Sequence, residues 1–386
     1  MLTCKKAETL NNSFDIIIIG AGAFGSSAAY HLSTTNKKVL ILDKHTPPHV
    51  FGSSHGQTRI IREAYFEDPI YVPLLRKAYS LWDELENEST EKLFLKTGGL
   101  MLGNPDSHVI QGTLNSAKTY NIDHEILDQQ SILNKFPSFN SDEKTMGVYE
   151  HRAGILFPEK CIETALTLAR QNGVKLNFNE TVTSINKSPN SVEITTDKGL
   201  YKAQKCIIAA GPWINKLIPE INLPLQTTRQ VLFWYDIDEN SKNQPIPEKF
   251  PVFIWNTVSG KHFYGFPDVG NGFKISFHDK GEICDPDHLN RNISIEEIEE
   301  MNQIINSHFH FSASFNNAVA CIYTNTPDDH FIIDYHPDHN NIIIASPCSG
   351  HGFKFSSVIG KILEDKALGN SIEFDLSPFE LKRFLN

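Results

Sequence analysis

Residues 14–43 read FDIIIIGAGAFGSSAAYHLSTTNKKVLILD, and this stretch decides the fold. The isoleucine run 16–19 predicts a short buried strand, and the small residues after it predict a helix that leads into a second apolar strand. The pattern Gly20-x-Gly22-x-x-Gly25 separates the first strand from the helix, and Asp43 closes the second strand. A strand, a glycine-rich turn, a helix, a strand and a terminal acid in this order indicate a dinucleotide-binding βαβ unit.

Each residue of this pattern has a physical role. Gly20 permits the tight turn, Gly22 lets the backbone approach a pyrophosphate, and Gly25 lets the helix pack closely on the strand. The helix N-terminus offers free N–H groups and a partial positive charge to the phosphates. Asp43 can accept hydrogen bonds from the ribose hydroxyls of an adenosine, and its charge disfavours the 2′-phosphate of NADP. The alternative is a glycine-rich turn in an ordinary βαβ unit.

Composition excludes several classes of protein. The chain has 386 residues, which suggests two domains or one large core with an inserted domain. Its net charge of −11 disfavours nucleic acid and anionic membranes as partners. No apolar run approaches the ~18 residues needed to span a bilayer, and residues 1–12 form a polar leader without the apolar core of a signal peptide. The six cysteines have no zinc-ligand spacing and indicate reduced, cytoplasmic usage, so we expect no metal.

The style of the strands changes along the chain. It begins and ends with short, fully apolar strands, whereas residues 226–280 carry aromatic strands typical of an antiparallel sheet that could roof a pocket. We therefore expect a discontinuous cofactor-binding domain made of residues 1–92, 147–225 and 321–386. The substrate-binding domain would comprise residues 93–146 and 226–320.

Several motifs outside the dinucleotide unit allow two interpretations. Arg59 and Arg62 flank two isoleucines in SSHGQTRIIR, and in an acidic protein they need anions, either a local carboxylate such as Glu63 or a bound acid. Cys321 lies between an apolar strand and a turn. It is either a half-buried structural cysteine or a thiolate that attaches to a cofactor. Lys274 lies on an alternating strand, GFKISFH, where a lysine ordinarily faces solvent.

The segment SGHGFK, residues 349–354, places small residues before a helix. It is either an ordinary helix start or a set of backbone N–H donors close to a ring or a phosphate.

Taken together, the segments DIIIIGAGAFGSSAAYHL, PPHVFGSSHGQTRIIREAY, FYGFPDVGNGFKISFH, ACIYTNTPDDHFIID and SGHGFKFSSVIG give the chain a family resemblance over nearly its whole length. The chain resembles the monomeric sarcosine oxidase and N-methyltryptophan oxidase family of flavoenzymes. The resemblance implies an α/β fold with a Rossmann-type FAD-binding domain and a substrate domain built on a mixed, largely antiparallel sheet. It also implies oxidation of N-methyl or cyclic secondary-amine amino acids by O₂, which gives an imine and hydrogen peroxide.

The resemblance assigns roles to individual residues. Cys321 would hold FAD covalently through a thioether, and Lys274 would hold a water near flavin N5 and accelerate the reaction with O₂. Arg62 and Lys354 would bind the substrate carboxylate, with Arg59 near the flavin ring. Further residues would shape the substrate pocket, namely His278, Tyr264 and Ile254. Others would contact the cofactor, namely His55, Thr58, Val182, Gly211, Gly350, His351, Gly352 and again Lys354.

Two rival enzyme functions stay open on the sequence alone, and a third alternative, a noncatalytic flavin-binding or assembly protein, is disfavoured because both arginines, both lysines and the cysteine are present. An NAD-dependent dehydrogenase is compatible with the glycine pattern, but it would have no use for a cysteine attachment. A related FAD dehydrogenase could pass electrons to another acceptor, but the resemblance gives Lys274 a role in the reaction with O₂, which argues against that alternative.

Ile254 and Trp255, in FPVFIW, are expected to bound the space for the substrate side chain. By analogy the protein would be a monomer whose partners are a small amino acid and O₂.

Overall fold

The computed structural model describes residues 12–257, 259–278 and 281–384. Residues 1–11 of the expected polar leader lie outside these ranges. The strands are β1 Ser13–Ile19, β2 Val39–Leu42, β3 Arg59–Ile61, β4 Phe94–Lys96, β5 Gly99–Gly103, β6 Glu125–Leu127, β7 Met146–Glu150, β8 Gly154–Leu156, β9 Lys175–Asn177, β10 Val182–Ser188, β11 Ser191–Thr196, β12 Leu200–Ile208, β13 Gln226–Ile237, β14 Val252–Asn256, β15 His262–Phe266, β16 Phe273–Phe277, β17 Ala313–Asn325, β18 Ile332–His336 and β19 His339–Ser346. The α-helices are α1 Ala23–Ser33, α2 Val72–Asn87, α3 His108–Tyr120, α4 Gln129–Lys135, α5 Pro158–Gln171, α6 Ile214–Leu217, α7 Ile295–His308 and α8 Ser356–Leu368.

The first sheet carries the dinucleotide unit. Its strand order is β10-β11-β12-β1-β2-β9, with β19 beside β12 and β18 beside β19. β1 pairs in parallel with β2 on one side and with β12 on the other. Ile16 and Ile18 pack into one apolar core with helices α1, α2, α5 and α8, whereas Ile17 and Ile19 pack into a second core on the opposite face. Burial on both faces explains why β1 reads as an unbroken apolar run.

The second sheet is mixed and largely antiparallel. Its order is β17-β13-β16-β15-β14-β5-β7-β6, and β14 pairs in parallel with β5 while its other pairings are antiparallel. The expected α/β architecture with such a sheet is therefore confirmed. A small third sheet has the order β3-β8-β4.

Alternation along β14 decides which side chains face the site. Ile254 packs with the apolar cluster beside the cleft described below, whereas Phe253 and Trp255 point to the opposite face and enter an aromatic core. The Trp255 ring lies 5.7 Å from Phe263 and is 2% exposed. The expectation that Trp255 bounds the substrate space is therefore wrong, because successive side chains of a strand face opposite sides of its sheet.

The second sheet also bears on the expected domain division. The boundaries at residues 147 and 321 each fall inside one of its strands, β7 and β17. The division into two domains stays a prediction. Within the described ranges, no helix combines the length and apolar character needed to cross a bilayer.

Candidate active site

The glycine turn has the geometry that a pyrophosphate requires. Gly20 has φ +97°, and a Cβ on it would lie 2.4 Å from the Ala209 carbonyl oxygen. A Cβ on Gly25 would lie 1.8 Å from the Gly20 oxygen, so both positions need glycine for close packing. Gly22 differs, because the nearest atom to its Cβ position is 4.0 Å away, at Ser54. This open space faces the N-terminus of α1, which no side chain caps, and it leaves room for an anion.

A cleft adjoins this turn. Asp43 lies beside the turn, where its carboxylate accepts a hydrogen bond of 2.7 Å from the Ala21 N–H and one of 2.8 Å from the His45 N–H. Val182 and Gly211 line the same cleft. The structure thus brings together every residue that the sequence assigned to the dinucleotide end, although their contacts with a cofactor stay a prediction.

A second cavity adjoins the cleft. Five residues line both, and the two cavities together are called the channel: Ala23, Phe24, Ser53, Ser54 and Cys348. The far part is lined by predicted site residues from the second sheet, from β3 and the loop after it, and from the SGHGFK loop: Arg59, Arg62, Ile254, Tyr264, His278, Cys321, Gly350, His351, Gly352 and Lys354.

Arg62 is the buried cation of this cavity, with 1% of its surface exposed. Its Nη1 donates to the Ala64 oxygen at 2.9 Å, and its Nη2 donates to Glu67 Oε2 at 2.5 Å. Its guanidinium carbon lies 4.2 Å from the ring centres of both Tyr65 and Phe66. Its Nε has no hydrogen-bond partner in the part of the chain that the structure describes. Although burial alone would raise it, the pKa of Glu67 is lowered to about 2, chiefly by Arg62.

The partner of Arg62 is thus Glu67 and not Glu63. Glu63 pairs instead with Arg76 and Arg152, at 2.6 and 3.1 Å.

Lys354 lies beside Arg62 at the same end of the cavity. Its Nζ donates to the His351 oxygen at 2.8 Å and approaches the Tyr65 hydroxyl at 3.5 Å. His351 Nε2 faces the Asp329 oxygen at 2.9 Å, so Nε2 carries the proton and Nδ1 accepts from Tyr65 at 2.6 Å. Burial, and then the charge of Arg62, lowers the pKa of Lys354 to about 7. Arg62 and Lys354 are two adjacent cations that have one carboxylate partner, that of Glu67. The pair is therefore suited to bind a further carboxylate.

Lys274 is buried and does not face solvent. Its Nζ donates to the Gly56 oxygen at 2.5 Å, the Thr58 oxygen at 3.0 Å and the Thr58 hydroxyl at 3.1 Å. Burial, and then Arg59, lowers the pKa of Lys274 well below its ordinary value. Arg59 donates to three backbone oxygens and makes no ion pair among the described residues. The loop before β3 thus concentrates positive charge next to the cavity.

Two predicted cofactor residues lie away from the cleft lining. Thr58 holds Lys274, and His55 lines a separate polar groove on the outer side of the same loop. Burial, and then Arg59, lowers the pKa of His55 to about 3. Their direct contact with a cofactor stays a prediction.

Cys321 lies on β17 at the edge of the cavity, 1% exposed, with its Sγ 3.8 Å from the Ser53 oxygen. Burial raises the pKa of its thiol, an effect that Arg59 partly opposes. Tyr323, two residues further on, faces the same cavity. Its hydroxyl lies 3.4 Å from the Tyr264 hydroxyl and 3.5 Å from His278 Nδ1. Burial, and then His262, lowers the pKa of His278 to about 3.

The sequence interpretation missed Glu67, Tyr65 and Tyr323 as lining or supporting groups of this cavity. Glu67 carried a signal, because a buried arginine needs a counter-ion and Glu67 follows Arg62 in the same loop. Tyr323 lies inside the CIYTNTPD segment.

The channel fits an FAD molecule on observations of this structure. Gly22 leaves open space at an uncapped helix N-terminus, and Asp43 lies beside it. Buried polar atoms without a hydrogen-bond partner among the described residues line the cavity, namely Ser53 Oγ, Arg62 Nε and Thr324 Oγ1. Unpartnered groups of this kind are uncommon in folded proteins and point to a bound molecule. By contrast, no cluster of His, Cys, Asp and Glu suited to a metal occurs in ranges 12–257, 259–278 and 281–384.

Comparisons with known proteins agree with this geometry. The family model of FAD dependent oxidoreductases matches residues 15–366. The chain is 38% identical to a monomeric sarcosine oxidase of Bacillus sp. over 381 residues, which cover 97% of each protein. It is 37% identical to an N-methyl-L-tryptophan oxidase of Salmonella typhimurium over 373 residues, 96% of this chain and 99% of that protein.

Solved structures show the same fold. NikD, an unusual amino acid oxidase essential for nikkomycin biosynthesis, has a TM-score of 0.85 at 22% identity, covering 96% of this chain and 97% of its own. Glycine oxidase from Geobacillus kaustophilus has a TM-score of 0.81 at 17% identity, covering 96% and 99%. With its glycine turn, its channel and these relatives, the chain belongs to the FAD dependent oxidoreductase family, in the group of monomeric sarcosine oxidases and N-methyl-L-tryptophan oxidases.

Proposed function

We propose that the protein oxidises N-methyl or cyclic secondary-amine amino acids with O₂ and releases an imine and hydrogen peroxide. The observation that carries the proposal is the pair of buried cations, Arg62 and Lys354, at the end of the cofactor channel. Only a substrate with an anionic group uses such a pair, and a carboxylate matches the two-pronged guanidinium. We infer that the substrate is a secondary amine because the relatives are named for oxidation of sarcosine and N-methyl-L-tryptophan.

The residues of this chain would first orient the substrate. The carboxylate would dock on Arg62 and Lys354, which would orient the amine in the cavity and lower the entropic part of the barrier. The apolar wall of the cavity includes Ile254 and Phe266, and it disfavours the charged form of the amine. The amine then reacts in its neutral form.

FAD, when bound, supplies the two-electron chemistry that turns the amine into an imine and passes the electrons to O₂. We propose that Gly20, Gly22 and the N-terminus of α1 hold its pyrophosphate, with Asp43 on the ribose and Cys321 in a thioether to the flavin. Lys274 would stabilise the negative charge that develops on reduced oxygen, since a fixed cation in a buried site is effective there. This role favours O₂ over another electron acceptor.

Acid precipitation tests the covalent link. We expect the yellow colour to stay with the precipitated protein and to move to the supernatant in Cys321→Ala. Colour that appears in the supernatant of the unchanged protein would rule out the link, while leaving the assignment of FAD intact.

A peroxide assay tests the activity and the substrate. Sarcosine, N-methyltryptophan and pipecolate share a carboxylate and a secondary amine and differ in bulk. Peroxide formation with at least one of them, lost in Arg62→Met, supports the proposal. Reduction of the flavin by these substrates without peroxide would instead indicate a dehydrogenase that uses another acceptor. The expectations of a monomer and of a cytoplasmic location belong to the same proposal.

A further inference from the structure

One segment of the substrate-binding part lies across the cofactor channel. Residues 284–292, here called the strap, contain no helix or strand. Both ends of the strap are fastened to β13. At the start, the Cys284 N–H donates to the Thr227 oxygen at 3.0 Å. At the end, Arg229 donates to the oxygens of Asn290 and Asn292 at 2.8 and 2.7 Å.

The middle of the strap reaches one rim of the channel through Asp287. Asp287 lines the dinucleotide end of the cleft together with Trp213 and Lys216, which follow Gly211. Its Oδ1 accepts from Trp213 Nε1 at 2.8 Å, and its Oδ2 accepts from Lys216 Nζ at 2.5 Å. Lys216 also contacts Asp285 Oδ1 at 2.6 Å. This rim is therefore held by two carboxylates of the strap.

The same strap also holds a second rim, formed by the loop after β2. Asp287 Oδ1 accepts from Lys44 Nζ at 3.1 Å, one residue after the predicted ribose ligand Asp43. Further along, Arg291 donates to the Val50 oxygen at 3.2 Å, and its guanidinium lies 5.5 Å from the centre of the Phe51 ring. One carboxylate, that of Asp287, thus joins both rims of the channel.

We propose that the strap is a closure over the FAD site, that Asp287 fastens it, and that it opens when FAD is taken up. The chemistry of the contacts fits such a device. The side chains of Lys44 and Lys216 are 47% and 46% exposed and that of Asp287 is 30% exposed, so each ion pair is weak by itself. Three donors meet on the Asp287 carboxylate, so its loss weakens the hold of the strap on both rims, while the contacts of Asp285 and Arg291 remain.

The closure is distinct from the residues that act on the substrate. Asp287 lines the dinucleotide end of the channel and not the cavity that contains Arg62 and Lys354. The inference rests on the family's FAD site and stands independently of the identity of the substrate. It would therefore survive if the proposed oxidase reaction were incorrect.

The rate of FAD release tests the proposal. In a Cys321→Ala background, where no thioether can form at that position, the loaded protein is diluted and the rise in flavin fluorescence is followed. We expect Asp287→Asn to accelerate release by about 3- to 10-fold, the size expected when a network of exposed charges loses its centre. Glu300→Gln is the matched control, because Glu300, on helix α7, also forms an exposed ion pair, but with Lys261 and not with a residue of the strap. Equal release rates in the Asp287 and Glu300 variants would overturn the proposal.

A second measurement avoids variants that bind FAD poorly. Trypsin is added to the unaltered full chain, prepared either loaded or from a riboflavin-limited host, and cleavage after Arg291 is timed. We expect bound FAD to slow this cleavage several-fold relative to cleavage after Lys202, which lies in a paired strand of the first sheet. Cleavage after Arg291 that does not respond to FAD would show that the strap does not close over the cofactor.

Discussion

Arg62 Nη2 and Glu67 Oε2 lie 2.5 Å apart at the substrate end of the FAD channel. The side chain of Arg62 is 1% exposed and that of Glu67 is 17% exposed. The chain thus supplies its own carboxylate to the group that would bind the substrate carboxylate. If Arg62 binds the substrate acid as proposed, the acid must share or replace this partner, and we predict that Glu67 limits how strongly acids bind.

Glu67→Gln removes that competing charge. We expect acetate, a carboxylate without an amine, to bind about 5-fold or more tightly, since a like charge near its site is lost. The measurement is a titration followed by flavin absorbance. Glu63→Gln is the control, because Glu63 is also buried and paired with arginines but lies outside the cavity lining. Weaker acetate binding in Glu67→Gln would show that Glu67 positions Arg62 and does not compete.

The pKa of Lys354, lowered to about 7, predicts a pH dependence of anion binding. Below that pKa the side chain is an ammonium ion and attracts a carboxylate, and above it the side chain is neutral. The affinity for acetate should therefore fall by about 10-fold or more between about pH 6 and about pH 9. Lys354→Met should bind acetate weakly at every pH and lose the step. A step retained in that variant would assign the titration to another group.

Lys274→Met tests the role of the buried amine beside the cavity. Because its proposed task is to stabilise charge on reduced oxygen, we expect reoxidation of the flavin to slow by about 10²-fold or more. Anaerobic reduction by substrate should change far less. Stopped-flow absorbance separates the two half-reactions, and Lys261→Met, on an exposed lysine, is the control. Equal slowing of both half-reactions would point to a general disturbance of the Gly56–Thr58 loop.

Glu150 makes a prediction about stability. It accepts hydrogen bonds from the Glu63 and Ala64 N–H groups behind the Arg62 loop, and burial raises its pKa to about 7. The folded protein therefore prefers the protonated form, so this group lowers stability as pH rises from its ordinary pKa through 7. The full cost above pH 7 is about 3 kcal/mol.

Glu150→Gln removes the charge and keeps one of the two oxygens that accept from the Glu63 and Ala64 N–H groups. We expect its melting temperature to exceed that of the unchanged protein at about pH 8 and to match it at about pH 5. Thermal unfolding at both pH values is the measurement. A variant that is less stable at about pH 8 would mean that the second carboxylate oxygen, which also contacts Glu63 N–H, is required.

The sequence by itself determined the dinucleotide unit and predicted several residues that the structure places in one cavity. Residues 14–43 predict this unit without tertiary information, because the turn glycines and the flanking apolar strands are neighbours along the chain. The motif segments likewise pointed to Arg62, Cys321 and Lys354, which line one cavity, and to Lys274, which lies beside it.

Only the tertiary structure decided the pairings and the orientations. The side to which Trp255 points depends on the register of β14 in its sheet, and a register shift of one residue would reverse it. The partner of Arg62, the carbonyls that hold Lys274 and the bridging role of Asp287 all depend on contacts between segments that meet only in the folded chain. The charge state and the burial of a side chain depend on contacts between segments that are distant in sequence. The sequence fixes the residue types but not the distances between them.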